Sequence, residues 1–363
     1  MNRLVPAALL LGVLLLPAAS AQQPAPPDPK RAAEFIANSE AGLKTLQTWY
    51  DEETGRWKTT GWWNAANGLT MLVDYSKLSN TPDFRPVIAN TFDRNSQKNF
   101  LNEYYDDEGW WALGWAGAYE LTQDKRYLEM SETIFADMAG GWDDTCGGGI
   151  WWKKPKQYKN AIANELFLSV AARLASLTQD AQKKAKYLEW AQREWKWFAA
   201  SGMINSDNLV NDGLDSSCHN NHRTTWTYNQ GVIIGGLTVL SKVSSDPKPL
   251  EAAQSIALSA IARLTDWDGV LHDPCEPARC GNDAPTFKGV FSRNLAVLNA
   301  AAPVPGFRAF FRRNAASIWA NRDPEGKFSV VWSGPSELKT AATQISALDA
   351  LVAAARAEGA AAK

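Results

Sequence analysis

The sequence predicts an all-α protein in which six helical hairpins form a closed ring, a six-hairpin toroid. Three observations favour this fold. Apolar residues recur at three- and four-residue spacing along almost the whole chain. The predicted helices alternate between two kinds, and short connections alternate with long ones.

The helices are separated by clusters of Gly, Pro, Asn and Asp, which interrupt the apolar pattern. Twelve helices are predicted, at 34–50, 62–79, 84–97, 109–122, 125–139, 158–178, 180–201, 226–243, 247–266, 286–302, 307–321 and 337–357.

Two kinds of helix follow one another along the chain. One kind has a charged and an apolar face, as in KYLEWAQREWKWF, and the other is small and apolar nearly all round, as in GVIIGGLTVL. A helix that is apolar on every side is buried, whereas an amphipathic helix lies on the outside. The alternation therefore predicts six pairs, each with one outer and one inner helix.

The connections also fall into two classes. Inner-to-outer links have roughly one to four residues, whereas outer-to-inner links have roughly eleven to twenty-four, and long loops tend to carry function. In a ring of antiparallel hairpins, all links of one class emerge on one face. That face, where the inner helices begin, is expected to hold the site.

The N-terminus resembles an export signal. Residues 1–21 combine a positive start, an apolar run and a small-residue cleavage site, which predicts a signal peptide. Residues 22–30 are expected to be a disordered Pro-rich leader, and 31–363 a single domain. No later apolar run reaches the ~20 residues of a membrane span, and the C-terminus lacks a lipid-anchor tail. We expect a secreted or periplasmic monomer.

Charge and composition exclude some classes of function. The net charge of −2 gives no basic field for nucleic acid. The chain has 17 tryptophans, many of them in pairs, and indole rings stack on sugars as well as filling cores. This composition favours a protein that handles carbohydrate.

Four cysteines in an exported chain indicate disulfides. Cys275 and Cys280 flank a four-residue stretch and are expected to close a short loop, which leaves Cys146 to pair with Cys218. A zinc site in CHNNH, with Cys218, His219 and His222, is the rival interpretation. It is disfavoured because oxidised cysteines are poor ligands and no CxxC pair is present.

The stretch GGWDDTCGGGIWW holds two adjacent acids, Asp143 and Asp144, on a long loop between tryptophans and glycines. Glycoside hydrolysis needs two carboxyl groups with separated pKa values. Flanking glycines give the backbone the freedom to bring neighbouring side chains onto one site. We therefore expect this pair to be catalytic, although a solvated surface loop is the alternative.

A second acidic pair, Asp106 and Asp107, precedes a predicted inner helix. Its interpretation stays divided between substrate contact and helix capping. Other polar and aromatic residues in first turns suit a polyhydroxylated ligand, although buried amides can also satisfy one another. The predicted substrate-binding set is Trp63, Asn64, Asp106, Asp107, Trp110, Trp151, Asn164, Tyr228, Asn229, Gln230 and Lys288. No cofactor, metal or nucleotide site is predicted.

Several stretches, in order, resemble glycoside hydrolase family 76, the endo-α-1,6-mannanases, and most closely its fungal cell-wall branch. They are YYDDEGWWALGWAGAYELT, GWDDTCGGGIWW, YKNAIANELFLSVAARL, WTYNQGV and FKGVFSRNL. The resemblance implies an (α/α)6 barrel and a retaining double displacement. It also implies that Asp143 is the nucleophile and Asp144 the acid/base. The chain departs from the fungal branch by lacking its lipid-anchor signal.

Three functions remain in consideration. The leading one is secreted, retaining hydrolysis of α-1,6-mannosidic bonds in a polysaccharide. The second is transglycosylation on α-1,6-mannan or glycolipid mannose cores, and the third is a non-catalytic mannan-binding protein, against which Asp143 and Asp144 argue. A retaining mechanism predicts carboxyl groups about 5–5.5 Å apart and an α-configured first product.

Overall fold

The structure, a computed structural model, describes residues 26–278 and 280–359. The predicted signal peptide lies outside this part of the chain. Twelve α-helices and one short hairpin, β1 (Tyr50–Asp51) and β2 (Arg56–Trp57), occupy the described residues. The helices are α1 (Pro29–Gln47), α2 (Trp62–Ser79), α3 (Arg85–Asn95), α4 (Tyr105–Thr122), α5 (Lys125–Ala139), α6 (Ala161–Leu177), α7 (Ala181–Ala200), α8 (Thr227–Ser244), α9 (Lys248–Arg263), α10 (Phe287–Ala301), α11 (Pro305–Ala320) and α12 (Ala341–Ala357).

The even-numbered helices form an inner ring. Each packs against the next, and α12 closes the ring by packing against both α10 and α2. Small residues allow this close packing: a Cβ on Gly289 of α10 would lie 2.6 Å from the Cα of Ser346 in α12. The amide of Gly289 donates a hydrogen bond to the Ser346 hydroxyl across the same contact, at 2.9 Å. The predicted (α/α)6 barrel is thereby confirmed.

The odd-numbered helices lie outside the ring with one face buried, as their amphipathic patterns predict. Helix α5 packs on α4, α7 on α6, α9 on α8, and both α1 and α11 on α12. Because inner and outer helices run antiparallel, the long loops and the starts of the inner helices share one face. No helix among the described residues meets the length and hydropathy of a membrane span.

Three helices, α1, α4 and α12, start four or five residues away from the prediction. Helix α12 begins late, at Ala341, because the Thr340 side chain caps it by accepting from the Thr343 amide. Helix α1 begins at Pro29, inside the predicted leader, because the Asp28 side chain accepts hydrogen bonds from the amides of Lys30 and Arg31. Helix α4 begins at Tyr105, four residues early. Asp106 and Asp107 therefore lie within its first turn, and the N-cap residue, Tyr104, makes no side-chain capping bond.

Both predicted disulfides are present. Cys146 is bonded to Cys218, 72 residues away in sequence, and Cys275 is bonded to Cys280. Cys218 is thus not available as the thiolate ligand that the zinc interpretation required.

Candidate active site

A cavity of about 680 Å³ opens at the face where the inner helices begin, and we call it the mouth cavity. This volume is typical of small-ligand sites. Its lining comes from four inner helices and the long loops that precede them. The lining residues are Trp63, Tyr104, Asp106, Asp107, Trp110, Trp152, Tyr158, Asn160, Asp212, Arg223, Trp226, Tyr228, Cys280, Asp283 and Phe287.

Asp106 and Asp107 present their carboxyl groups to this cavity from the first turn of α4. The Trp152 indole donates to Asp106 Oδ2 at 2.9 Å, and the Asn102 amide donates to Asp107 Oδ2 at 2.6 Å. Burial raises the pKa of both groups: that of Asp107 to about 6, and that of Asp106 well above its usual range, where the Asp107 charge adds to the effect. One proton is therefore shared by the pair near neutral pH.

The Tyr228 side chain stands between several acids. Its pKa is raised by burial first and then by the charges of Asp212, Asp106, Glu165 and Asp283. The hydroxyl consequently stays protonated and can donate a hydrogen bond into the cavity.

Aromatic rings form much of the cavity wall. Tyr228 stacks on Phe287 with ring centroids 3.9 Å apart, and Trp63 stacks on Trp110 at 5.4 Å. The Trp63 indole is fixed by a 3.0 Å hydrogen bond to Asp283 Oδ1. Flat, apolar faces with fixed polar groups between them suit the ring faces and hydroxyls of a sugar.

Asp143 lies away from the mouth cavity. Its Oδ1 accepts from Lys159 Nζ at 3.0 Å, and its Oδ2 accepts from the Trp151 indole at 2.8 Å and from Lys156 Nζ at 3.2 Å. These donors, together with the Thr145 amide, lower its pKa well below the usual range despite partial burial. A carboxylate held this strongly in its charged form is an ion-pair partner and a poor candidate for proton transfer.

The glycines after Asp143 build a cage around Lys159. Its ammonium group is buried and lies 2.6 Å from the carbonyl oxygens of Thr145 and Gly148 and 3.0 Å from that of Gly149. Gly149 has a φ of +81°, and a Cβ there would lie 2.4 Å from the Trp197 ring. The glycines thus bend the loop, as the sequence predicts, but the bend closes on a lysine and a tryptophan.

Asp144 is exposed on the 3₁₀ turn that begins at Thr145, and only its backbone makes a described hydrogen bond, from the Gly147 amide. A separate cavity of about 280 Å³, the side cavity, lies beside this turn and is lined in part by Trp151, Lys156 and Tyr158. Neither Asp143 nor Asp144 lines either cavity. The predicted catalytic pair and the mouth cavity are therefore separate features of the same face.

Three predicted sugar-binding amides are occupied by protein groups. Asn164 accepts from the Ile150 amide and donates to the Ile150 carbonyl, and Gln230 does the same with Val210. Asn64 pairs with the Gly61 amide and the Thr286 hydroxyl. These side chains fix long loops to inner helices, which is the alternative that the sequence left open for buried amides.

Two further predicted residues are also buried away from the mouth cavity. Lys288 Nζ lies 2.6 Å from Glu276 Oε1 and from the Val330 carbonyl. Asn229 is fully buried, and its amide atoms have no described hydrogen-bond partner. Of the predicted binding set, the structure brings together Trp63, Asp106, Asp107, Trp110 and Tyr228 in the mouth cavity, while Trp151 lines the side cavity.

Sequence reasoning missed the other lining residues. Most of them stand on the long loops, one to a few residues before an inner helix, and this position was the available signal. They are Tyr104, Trp152, Tyr158, Asn160, Asp212, Arg223, Trp226, Cys280 as a wall residue, Asp283 and Phe287.

The family profile described as glycosyl hydrolase family 76 matches residues 33–362, nearly all of the described chain. The chain belongs to glycosyl hydrolase family 76. Solved structures share its fold. One is the α-1,6-mannanase GH76A of Salegentibacter sp. HEL1_6, solved as a variant inactivated at two neighbouring aspartates and bound to α-1,6-mannotetrose. Its TM-score with this chain is 0.78 and its sequence identity is 24%, and the match covers 88% of this chain and 98% of that one. Dfg5 from Chaetomium thermophilum, in complex with glucosamine, has a TM-score of 0.77 and 22% identity, with 89% and 90% covered.

Proteins similar in sequence occur in fungi. The mannan endo-1,6-alpha-mannosidase DCW1 of Candida albicans is 27% identical over 67% of this chain and 59% of its own length. A protein of the same name from Saccharomyces cerevisiae is 25% identical over 80% of this chain and 71% of its own length. The chain spans about three fifths of the length of the first relatives it matches.

Proposed function

We propose that this family 76 protein hydrolyses α-1,6-mannosidic bonds within mannan chains, with Asp106 and Asp107 as its catalytic pair. The observation that carries the proposal is the placement of two adjacent carboxyl groups with raised pKa values in an aromatic-walled cavity. The names of the fungal relatives, mannan endo-1,6-alpha-mannosidases, support the substrate class. This proposal replaces Asp143 and Asp144, whose surroundings suit ion pairing and solvent exposure.

The proposed reaction is a retaining double displacement. In the reactive form, the one proton shared by the pair lies on Asp107, which gives it to the glycosidic oxygen while the Asp106 carboxylate attacks the anomeric carbon. The bond to the leaving sugar breaks, and a glycosyl ester forms on Asp106. Asp107 then removes a proton from water, the water oxygen attacks the same carbon, and Asp106 is released.

The surroundings of the pair fit these roles. Burial first and the Asp107 charge second raise the pKa of Asp106; the Trp152 indole hydrogen bond opposes both, and protonation of Asp107 removes the second. Tyr228 offers a hydroxyl donor beside the same group. Donors that are already oriented stabilise charge more strongly than freely turning solvent would.

Replacement of each acid by its amide tests the assignment. We expect Asp106→Asn and Asp107→Asn each to lower kcat/KM on α-1,6-mannotetraose by about 10³-fold or more, with the double variant little worse than either single one. Asp144→Asn, an exposed acid on the other pair, is the matched control and should keep native activity. Activity above a tenth of native in either cavity variant would overturn the assignment.

Stereochemistry tests the mechanism separately. NMR of the first products should show α-mannose before mutarotation, whereas β-mannose appearing first would mean inversion. The same product analysis distinguishes hydrolysis from transfer, because transglycosylation lengthens some chains without releasing new reducing ends. Binding of mannan without either reaction would instead support a non-catalytic role.

We further propose that the protein works outside the cytoplasm as a monomer. The two disulfide bonds support an oxidising compartment. Mass spectrometry of the exported protein should show a new N-terminus near residue 22, and size-exclusion chromatography with light scattering should give the mass of one chain. An unprocessed N-terminus or a dimer mass would contradict the respective part.

A further inference from the structure

The loop between α9 and α10 displays a tryptophan to solvent. Trp267 is 93% exposed, whereas the other exposed large hydrophobic residue in the described part of the chain, Leu258, reaches only 47%. Every other described tryptophan is buried or half-buried. Burial of this indole against a ligand would recover the free energy that its exposure in water forgoes, which makes the side chain a candidate for ligand contact.

The turn that carries Trp267 is firmly held. Asp266 Oδ1 accepts hydrogen bonds from the amides of Asp268, at 3.0 Å, and Val270, at 2.9 Å. The Gly269 amide closes the turn on the Asp266 carbonyl at 2.8 Å. Arg313 of α11 donates to the Asp268 carbonyl. The indole is therefore presented by a braced backbone, which lowers the entropy that binding would cost.

The same loop continues to the mouth cavity. Asp273 accepts hydrogen bonds from the backbone amide and hydroxyl of Thr227 at the start of α8, at 2.9 and 3.1 Å. Asp283, further along, holds the Trp63 indole and lines the cavity. This loop is one of the long links on the site face, and the turn that carries Trp267 packs against Arg313 near the middle of outer helix α11.

We propose that Trp267 is a stacking platform for a mannose ring of the polymer, outside the mouth cavity. The inference rests on the proposed function and extends it to a distant part of the same chain of sugars. One flat indole matches the apolar face of one pyranose ring. The flanking carboxylates of Asp266 and Asp268 are acceptors suited to hydroxyl groups.

The surroundings disfavour the other partners that an exposed tryptophan can have. Two acids beside the indole repel the anionic surface of a membrane. A protein interface requires roughly 800 Å² on each partner with several apolar anchors, whereas Trp267 stands between charged residues. The platform would thus strengthen binding of long chains only, since Trp267 does not line the mouth cavity in which a short oligosaccharide is held.

The test compares Trp267→Ala with the native enzyme on two substrates, α-1,6-mannotetraose and long linear α-1,6-mannan. We expect kcat/KM on the tetraose to be unchanged and KM on the polymer to rise about three- to tenfold, a change typical of one aromatic contact. Trp267→Tyr keeps a ring and should retain most of the effect. Leu258→Ala, which also shortens an exposed apolar side chain, is the matched control and should behave as native.

Affinity electrophoresis in gels containing α-1,6-mannan measures polymer binding without catalysis when all variants also carry Asp106→Asn. Equal retention with and without the indole would overturn the platform, even if the native enzyme proves inactive on mannan and the proposed function fails. An equal loss of kcat/KM on the tetraose and on the polymer in Trp267→Ala would also overturn the platform. Indole-dependent binding to anionic lipid vesicles, or indole-dependent self-association, would assign Trp267 to a membrane or to a second copy of the chain instead.

Discussion

Asp143→Asn separates the two acidic pairs, because the structure predicts an effect on stability and none on chemistry. The amide keeps the shape of the side chain but turns one acceptor oxygen into a donor. That donor must face either Lys159 or the pair formed by Lys156 and the Trp151 indole, all of which already donate. Lys159 is fully buried and loses the one ion pair that it makes among the described residues.

The expected cost is about 2–3 kcal/mol of unfolding free energy, the usual value of a hydrogen bond to a charged group. For a domain of this size, that lowers Tm by roughly 3–4 °C. Circular dichroism melts at pH 7 measure the change, and kcat/KM on α-1,6-mannotetraose should stay within about twofold of native. Asp144→Asn should change neither quantity.

The difference in Tm between the native protein and Asp143→Asn should depend on pH, because the pKa of Asp143 is lowered in the fold. A carboxyl group whose folded pKa lies below its unfolded value stabilises the fold above the unfolded pKa, near 4. That contribution is lost as the pH falls further. The Tm gap between native and Asp143→Asn should therefore narrow below about pH 4. A variant with native Tm at pH 7 but activity reduced 10³-fold would refute this reasoning and return the chemistry to Asp143.

The structure also predicts three other outcomes. The native kcat/KM should rise as the pH passes through about 6, where the pair gives up the first of its two protons, and fall at higher pH, where the second proton is lost; a profile flat from pH 4 to pH 9 would contradict the shared proton. Replacing Cys146 and Cys218 together by Ser should cost ~4 kcal/mol, because the bridge closes a 72-residue loop; an unchanged melt would contradict this. Glu165→Gln should raise Tm at pH 7 but not below about pH 4. Burial without a hydrogen-bond partner raises the pKa of Glu165, so the native fold loses stability as the pH rises above the unfolded pKa of this group. A lower Tm of the variant at pH 7 would show that the charged form is needed.

The fold was largely predictable because it depends on periodicity and loop length. Helices α2 and α5 have the bounds that the pattern predicted, and the ring follows from the alternation of the two helix kinds. Helix α4 was placed late because the acids before Gly109 resembled caps. In the structure the helix begins at Tyr105, so the acids become part of its first turn and point to the cavity.

The choice between the two acidic pairs could not be made from the sequence. Both pairs are adjacent, both follow aromatic residues, and both precede glycines or tryptophans. What differs is the set of cations brought to each: Lys156 and Lys159 fold back onto Asp143, while Asp106 accepts from the Trp152 indole and makes no ion pair with the described residues. The lysines of KKPKQYK were visible, but their destination depends on how the loop closes.

The two ends of the described domain meet at one point. The Asp28 amide donates to Glu358 Oε2 at 2.9 Å, and Glu358 also pairs with Arg312. Since outer helices start, and inner helices end, on the face opposite the mouth cavity, both ends leave the barrel from its base. A tether joined to either end, or immobilisation on a solid support through it, would leave the mouth facing outward toward a polymer.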